Sequence, residues 1–124
     1  MHLKRSFVAE PQAPRAARRE LETLNGELSD DELWRLELLV SELLTNSIVH
    51  AGLGGRGIVT LDVDVTDARV RAEVRDRGIG FEPVPPGEPL AGQWGTRLLD
   101  RLADYWQVDS SSGTAVLFEL KRAA

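Results

Sequence analysis

Apolar positions recur every second residue along some stretches of this chain and every third or fourth along others, and the two rhythms take turns. Val59, Leu61, Val63 and Val65 alternate with Thr60, Asp62 and Asp64, and Val70, Ala72 and Val74 alternate with Arg69, Arg71, Glu73 and Arg75. Each run predicts a half-buried strand, and the turn Thr66-Asp67-Ala68 makes them a hairpin with one aliphatic face and one charged face. Helices belong on the first face and water on the second. Leu3 to Val8 predicts an earlier strand, and Tyr105 to Asp109 and Thr114 to Leu120 predict two later ones around the turn Ser110 to Gly113.

The helical rhythm is clearest in the middle. Leu33, Leu36, Val40, Leu43, Leu44 and Ile48 carry a broad apolar surface through a stretch without Gly or Pro, and Gly52 stops it after Ala51. Its start has Ser29 as N-cap, Glu32 three residues on to complete a capping box, and Leu28 with Leu33 as a hydrophobic staple. A shorter helix is expected over Arg15 to Leu24, opened by Pro14 and closed by Asn25-Gly26, and another over Gly95 to Asp104 through Leu98, Leu99, Leu102 and Ala103. Between them, Pro83, Pro85, Pro86 and Pro89 forbid helix and central strand, so Glu82 to Ala91 reads as an exposed loop and a candidate lid. The expected architecture is a single α/β domain over 1–124, a two-layer sandwich of a mixed sheet with helices on one face.

Composition narrows the setting. The chain has 124 residues and no cysteine, so neither a disulfide framework nor a thiolate metal site is available, and a reducing cytoplasm is the natural home. No stretch has the length of a signal peptide core or a membrane span. Fifteen basic residues against twenty acidic ones give a net charge of −5, which disfavours sequence-independent binding to nucleic acid. Arg15, Arg18 and Arg19 cluster near the start and read first as a solvated helix face, with a partner or nucleotide contact as the alternative.

The candidate chemistry lies at two places. In the long helix Glu42, Asn46 and His50 are spaced by four and share a stripe, so a carboxylate, an amide and an imidazole point one way. Asp76 ends the second hairpin strand and is followed by Gly78 and Gly80, a carboxylate where sheet meets loop. Together these read as a nucleotide site, although each piece has a plainer alternative. Glu42 and Asn46 also suit the wet side of an amphipathic helix, Asp76 also suits the start of a turn, and Thr114 also suits any strand.

The ordered set Glu42-x-x-x-Asn46-x-x-x-His50-Ala51, Asp76-x-Gly78-x-Gly80-Phe81, Gly92-Gln-Trp-Gly95 and Gly113-Thr114 resembles the GHKL (Bergerat-fold) ATPases, and within them the small anti-sigma-factor serine kinases. The resemblance spans nearly the whole chain. It implies an ATP- and Mg²⁺-dependent protein kinase that sequesters a sigma factor and phosphorylates a serine of an anti-anti-sigma partner, acting as a homodimer. Glu42 then matches the general base, Asn46 the Mg²⁺ ligand, Asp76 the reader of the adenine amine, and Thr114 its support. Gly78, Gly80, Gly92, Gly95 and Thr96 match the nucleotide loop, with a lid over about 77–95 and the free amides of a helix opening at Thr96 receiving phosphate. Thr96 departs from the family pattern, in which an aliphatic residue usually follows the second glycine. His50 does not match the phosphorylated histidine of sensor kinases, which stands on a separate helical hairpin. Trp34, Trp94 and Trp106 are expected as core or lid anchors. The rival reading is a non-catalytic, ATP-dependent binding switch; the ATPase part of a chaperone, topoisomerase or mismatch-repair protein is disfavoured by length.

Overall fold

The computed structural model describes residues 1–50, 57–76, 93–109 and 113–122. The chain runs β1 (His2–Val8), α1 (Ala13–Glu22), α2 (Asp30–His50), β2 (Ile58–Val65), β3 (Arg69–Asp76), α3 (Gln93–Leu102), β4 (Tyr105–Asp109) and β5 (Thr114–Lys121). The strands form one five-stranded sheet in the order β1-β2-β3-β5-β4. The two-layer α/β sandwich expected from the sequence is present, with one correction. The sheet is not mixed: each pairing among these strands is antiparallel. Two helices between β1 and β2 bring the chain back on the opposite heading, whereas one helix between β3 and β4 gives the same heading. Those last two strands are parallel in direction, but β5 lies between them and is antiparallel to both.

Register assigns the faces. Leu3, Val63, Ala72, Phe118 and Trp106 stand in one row across the sheet, and Leu61, Val74, Val116 and Val108 in the next. Side chains directly opposite share a face, and these pack into the core with Leu21, Leu24, Leu36, Val40 and Leu44 from the helices. The other face carries Lys4, Asp62, Asp64, Arg71, Glu73, Arg75 and Glu119, with the ion pair Arg69 Nη1 to Glu119 Oε2 at 3.1 Å. One aliphatic and one charged face is what the hairpin alternation predicts.

The capping box forms as expected: the Ser29 amide donates to Glu32 Oε1 at 2.9 Å, and the Glu32 amide donates to Ser29 Oγ at 3.1 Å. Leu28 and Leu33 are both buried beside it. Arg122 then ties the same end to the sheet. Its Nε lies 3.1 Å from Glu32 Oε2, and its Nη groups donate to Thr66 O at 2.9 Å and Glu27 O at 2.7 Å. Helix boundaries differ from expectation by a few residues. α1 covers Ala13–Glu22 rather than 15–24, with Pro14 in its first turn. Trp34 is also corrected: it is 55 % exposed and anchors no core, because it follows Leu33 by about 100° of helical turn and faces away from the sheet. Trp106 is half-buried against the core and donates from Nε1 to Asp100 Oδ1 at 2.8 Å.

Candidate functional site

Asp76 is the last residue of β3 and continues the phase of Val70, Ala72 and Val74, so its side chain lies on the helix-covered face. It is only 1 % exposed, a buried carboxylate at the end of an apolar row. Its cross-strand neighbours are Val59 on β2 and Thr114 on β5. Thr114 therefore stands beside Asp76 on the same face, which separates it from an arbitrary strand threonine. The preceding Gly113 has φ of 84°, a backbone region that costs glycine little and other residues more.

The Arg122 knot fixes how α2 lies against the sheet. The Arg122 amide also donates to Ala68 O at 3.0 Å, so the first turn of α2 sits at the Arg69 and Lys121 end of the strands. From Glu32, a rise of about 1.5 Å per residue carries the helix about 21 Å to Asn46. From Arg69, about 3.3 Å per residue carries β3 about 23 Å to Asp76. Asn46 and Asp76 thus reach the same end of the sandwich, on the same side of the sheet.

Around the helix axis, Arg35, Glu42 and Asn46 fall on one stripe, at separations that return to the same side of a helix. That stripe faces α3, because Arg35 Nη1 lies 3.5 Å from the Leu102 carbonyl oxygen at the far end of α3. α3 runs back alongside α2, and its length of about 14 Å brings its start to within about a turn of Asn46. Glu42 and Asn46 are both half-buried, and neither side chain forms a hydrogen bond or ion pair among the described residues. A neutral amide oxygen left unengaged suits a hard cation. Among the described residues no group of three or more His, Cys, Asp or Glu gathers to hold a metal.

The expected start of α3 at Thr96 is corrected to Gln93. Gly95 costs helix stability of about 1 kcal/mol, but it stands in the first turn of a segment fastened by Leu98, Leu99 and Leu102. The amides of a first turn lack intrahelical partners, so that of Gly95 remains among the free donors expected to meet phosphate, whereas that of Thr96, the fourth helical residue, is taken up within the helix. The last residues of the expected lid are accordingly helical. Gly78, Gly80 and Gly92 lie outside the described residues, as does the His50 side chain.

The charged sheet face holds a different feature, a shallow hollow of about 250 Å³ lined by Asp62, Asp64, Arg71, Glu73 and Leu117. It lies across the sheet from Asp76 and shares no residue with the candidate site. Sequence reading passed over Val59, whose place beside Asp76 depends on register and carries no motif. It also passed over Glu37, whose carboxyl is pushed up to about 7 by burial and by the neighbouring Glu22 carboxyl, with Arg18 opposing.

Comparison with known proteins places this geometry among relatives. The histidine kinase-like ATPase domain family matches residues 7–120. The anti-sigma F factor of Clostridium acetobutylicum is 28 % identical over 133 residues, covering 98 % of this chain and 92 % of that protein. The anti-sigma F factor of Clostridium botulinum strain Alaska E43 is 39 % identical over 62 residues, a match that spans 43 % of that protein's length. A solved structure of the RsbU and RsbW domains of a Mycobacterium tuberculosis protein superposes with a TM-score of 0.75 at 21 % identity, covering all of this chain and 34 % of that one. That last likeness speaks to the fold.

Proposed function

The chain belongs to the histidine kinase-like ATPase domain family, and from that premise we propose that it is an ATP-dependent serine/threonine protein kinase of the anti-sigma type. The observation that supports this reading most is the shielded Asp76 carboxylate, with Thr114 at its side. In this reading the adenine amine donates to Asp76, which can only accept; guanine offers a carbonyl at that edge and is refused. Asn46 would hold Mg²⁺ through its amide oxygen, and the ion would supply positive charge against that of the triphosphate. The free amides at the start of α3 orient the same phosphates. Glu42, one turn before Asn46, accepts the proton of a partner's serine hydroxyl as that oxygen forms its bond to the γ-phosphorus and the bond to the ADP oxygen breaks.

The partners in this proposal are an anti-anti-sigma-like protein substrate and a sigma factor, met by a homodimer in the cytoplasm. Among the described residues no helix is long and apolar enough to cross a membrane. Calorimetric titration with Mg·ATP, Mg·GTP and ATP plus chelator, on the native chain and on Asp76→Asn, tests the site. Adenine-selective, metal-assisted binding that Asp76→Asn abolishes is the expected result. Equal weak binding of both nucleotides would remove the basis of the proposal.

A further inference from the structure

On the side of α2 turned away from the Arg35 stripe, Glu37, Ser41 and Leu44 follow one another at separations that return to one face. That face meets α1, which buries Ala13, Ala17 and Leu21. Two alanines one turn apart let helix axes come close. At the margin of the seam Glu22, the last residue of α1, brings its carboxyl against that of Glu37, near enough for one to hydrogen-bond the other. Glu37 is half-buried, and its Oε1 is shielded from water without a hydrogen-bond partner. Ser41 Oγ, one turn on, is shielded and unpartnered as well, so no neighbouring hydroxyl meets a charge on Glu37. The cation facing the pair is Arg18, also on α1, and among the described residues it forms no ion pair with either carboxyl.

Two carboxylates in contact repel, whereas a protonated carboxyl donates to a carboxylate beside it and holds it. Burial and Glu22 both favour the protonated form of Glu37, with Arg18 opposing. We propose that the two residues form a proton-dependent latch: protonated Glu37 donates to the Glu22 carboxylate and fastens the last turn of α1 to α2, and loss of that proton turns the bond into repulsion and frees the turn. The place suits release, because a negative charge on Glu22 also opposes the dipole at the C-terminal end of its own helix. A second polar tie from α1, Glu20 Oε2 to Arg5 Nε at 3.1 Å, lies in the open and contributes little. Acid therefore fastens α1 and alkali loosens it. The inference is independent of the nucleotide reading, since Glu37 lies on the opposite side of α2 from Glu42 and Asn46.

Two measurements on the intact chain test the latch. Carboxyl-carbon NMR titration reads the proton: the Glu37 signal should titrate at about 7 in the native chain and lower in Glu22→Gln, whose amide can donate to the ionised form. Native-state hydrogen exchange at pH 5 and pH 8, expressed as protection factors, reads the turn. The amides of Leu21, Glu22 and Thr23 should exchange through a local opening, with less protection than those of the β2–β3 hairpin. Their protection in the native chain should fall about tenfold between the two conditions, screening having reduced the effect of the full shift. Glu37→Gln, which can donate to Glu22 at either pH, should stay level, and Glu22→Gln should do the same from the exposed side. Arg18→Ala removes the opposing cation and should move the fall to higher pH. Titration of native Glu37 at the ordinary 4.5 would overturn the inference, as would an equal fall in Glu37→Gln. Equal protection of the α1 turn and the hairpin at both pH values would also overturn it, because α1 would then open only with the whole fold.

Discussion

Folding stability should decline as pH rises from about 5 to 8, by an amount traceable to the single side chain Glu37. Its carboxyl lies at the seam between α1 and α2 against the Glu22 carboxyl, with Oε1 shielded from water and without a hydrogen-bond partner. Burial first, and Glu22 second, push it up to about 7 from an ordinary value of 4.5, while Arg18 pulls the other way. The folded state therefore holds this proton more tightly than the unfolded chain does. A carboxyl raised in this way contributes fully below the unfolded value, and its contribution is lost as pH rises through the folded one, the reverse of a salt-bridged carboxylate. Taken at face value the shift corresponds to about 3 kcal/mol. The rest of the group is open to water and its neighbours are partly solvated, so screening reduces the expected effect to about 1–2 kcal/mol. Urea unfolding of the native chain and of Glu37→Gln at pH 5 and pH 8 measures it. The neutral amide has no proton to lose and can donate to Glu22, so its stability should change less by about that amount and exceed the native value at pH 8. Parallel curves for the two proteins across this window would refute the reasoning.

At the other end of the pH scale, burial raises the Glu32 carboxyl but the Ser29 amide and Arg122 outweigh it, leaving it below the ordinary range. The stability it contributes should be present above pH 4.5 and be lost as pH falls through the lowered value, seen as a fall in melting temperature on acidification that Glu32→Gln lacks. Arg122→Ala strips the donors from Glu32, Thr66 O and Glu27 O and should destabilise the fold by about 2 kcal/mol in chemical denaturation, with nucleotide affinity unchanged. Glu42→Gln should abolish phosphoryl transfer to a serine-bearing partner while ATP affinity holds; retained transfer would remove Glu42 as the base, whereas a native chain that transfers nothing and switches equally well with glutamine would favour the non-catalytic binding reading. Gly113→Ala should cost about 1 kcal/mol because its φ of 84° is strained for any side chain, and by displacing Thr114 should also weaken ATP binding.

The hairpin, the long helix and its cap were legible because each rests on contacts close in sequence. Alternation through Val59–Val65 and Val70–Val74 has one physical cause, a sheet wetted on one face, and the register shows that face directly. The capping box needs only residues three apart. Strand order has no such signature: the insertion of β5 between β3 and β4 is decided by which edge the final hairpin joins, and the expected mixed sheet failed there. The phase of Asp76 was readable in principle, since it continues Val70, Ala72 and Val74, whereas its pairing with Thr114 joins residues 38 positions apart and required the sheet. Trp34 shows the opposite error. Hydrophobicity suggested burial, but helical geometry relative to Leu33 already turned it outward.

The two ends of the sandwich divide the work. At the Arg122 end, Ser29, Glu32, Glu27, Thr66 and Ala68 satisfy one another through donors and acceptors from α2, the β2–β3 turn and the chain past β5. At the far end, α2 presents Glu42, Asn46 and Ser47 without partners among the described residues, beside a carboxylate shielded to 1 % exposure. Polar groups left unmatched cost stability unless something else pairs with them. The end where β3 and β5 meet α2 is therefore suited to a polar, hydrogen-bonding ligand. Substitutions at the Arg122 end should therefore move melting temperature without touching affinity, and those of Asn46 should move affinity without lowering melting temperature. A variant such as Asn46→Ala that lost nucleotide binding and gained stability would be the natural sign of that division, whereas one that lost both would mean that Asn46 supports the helix rather than the ligand.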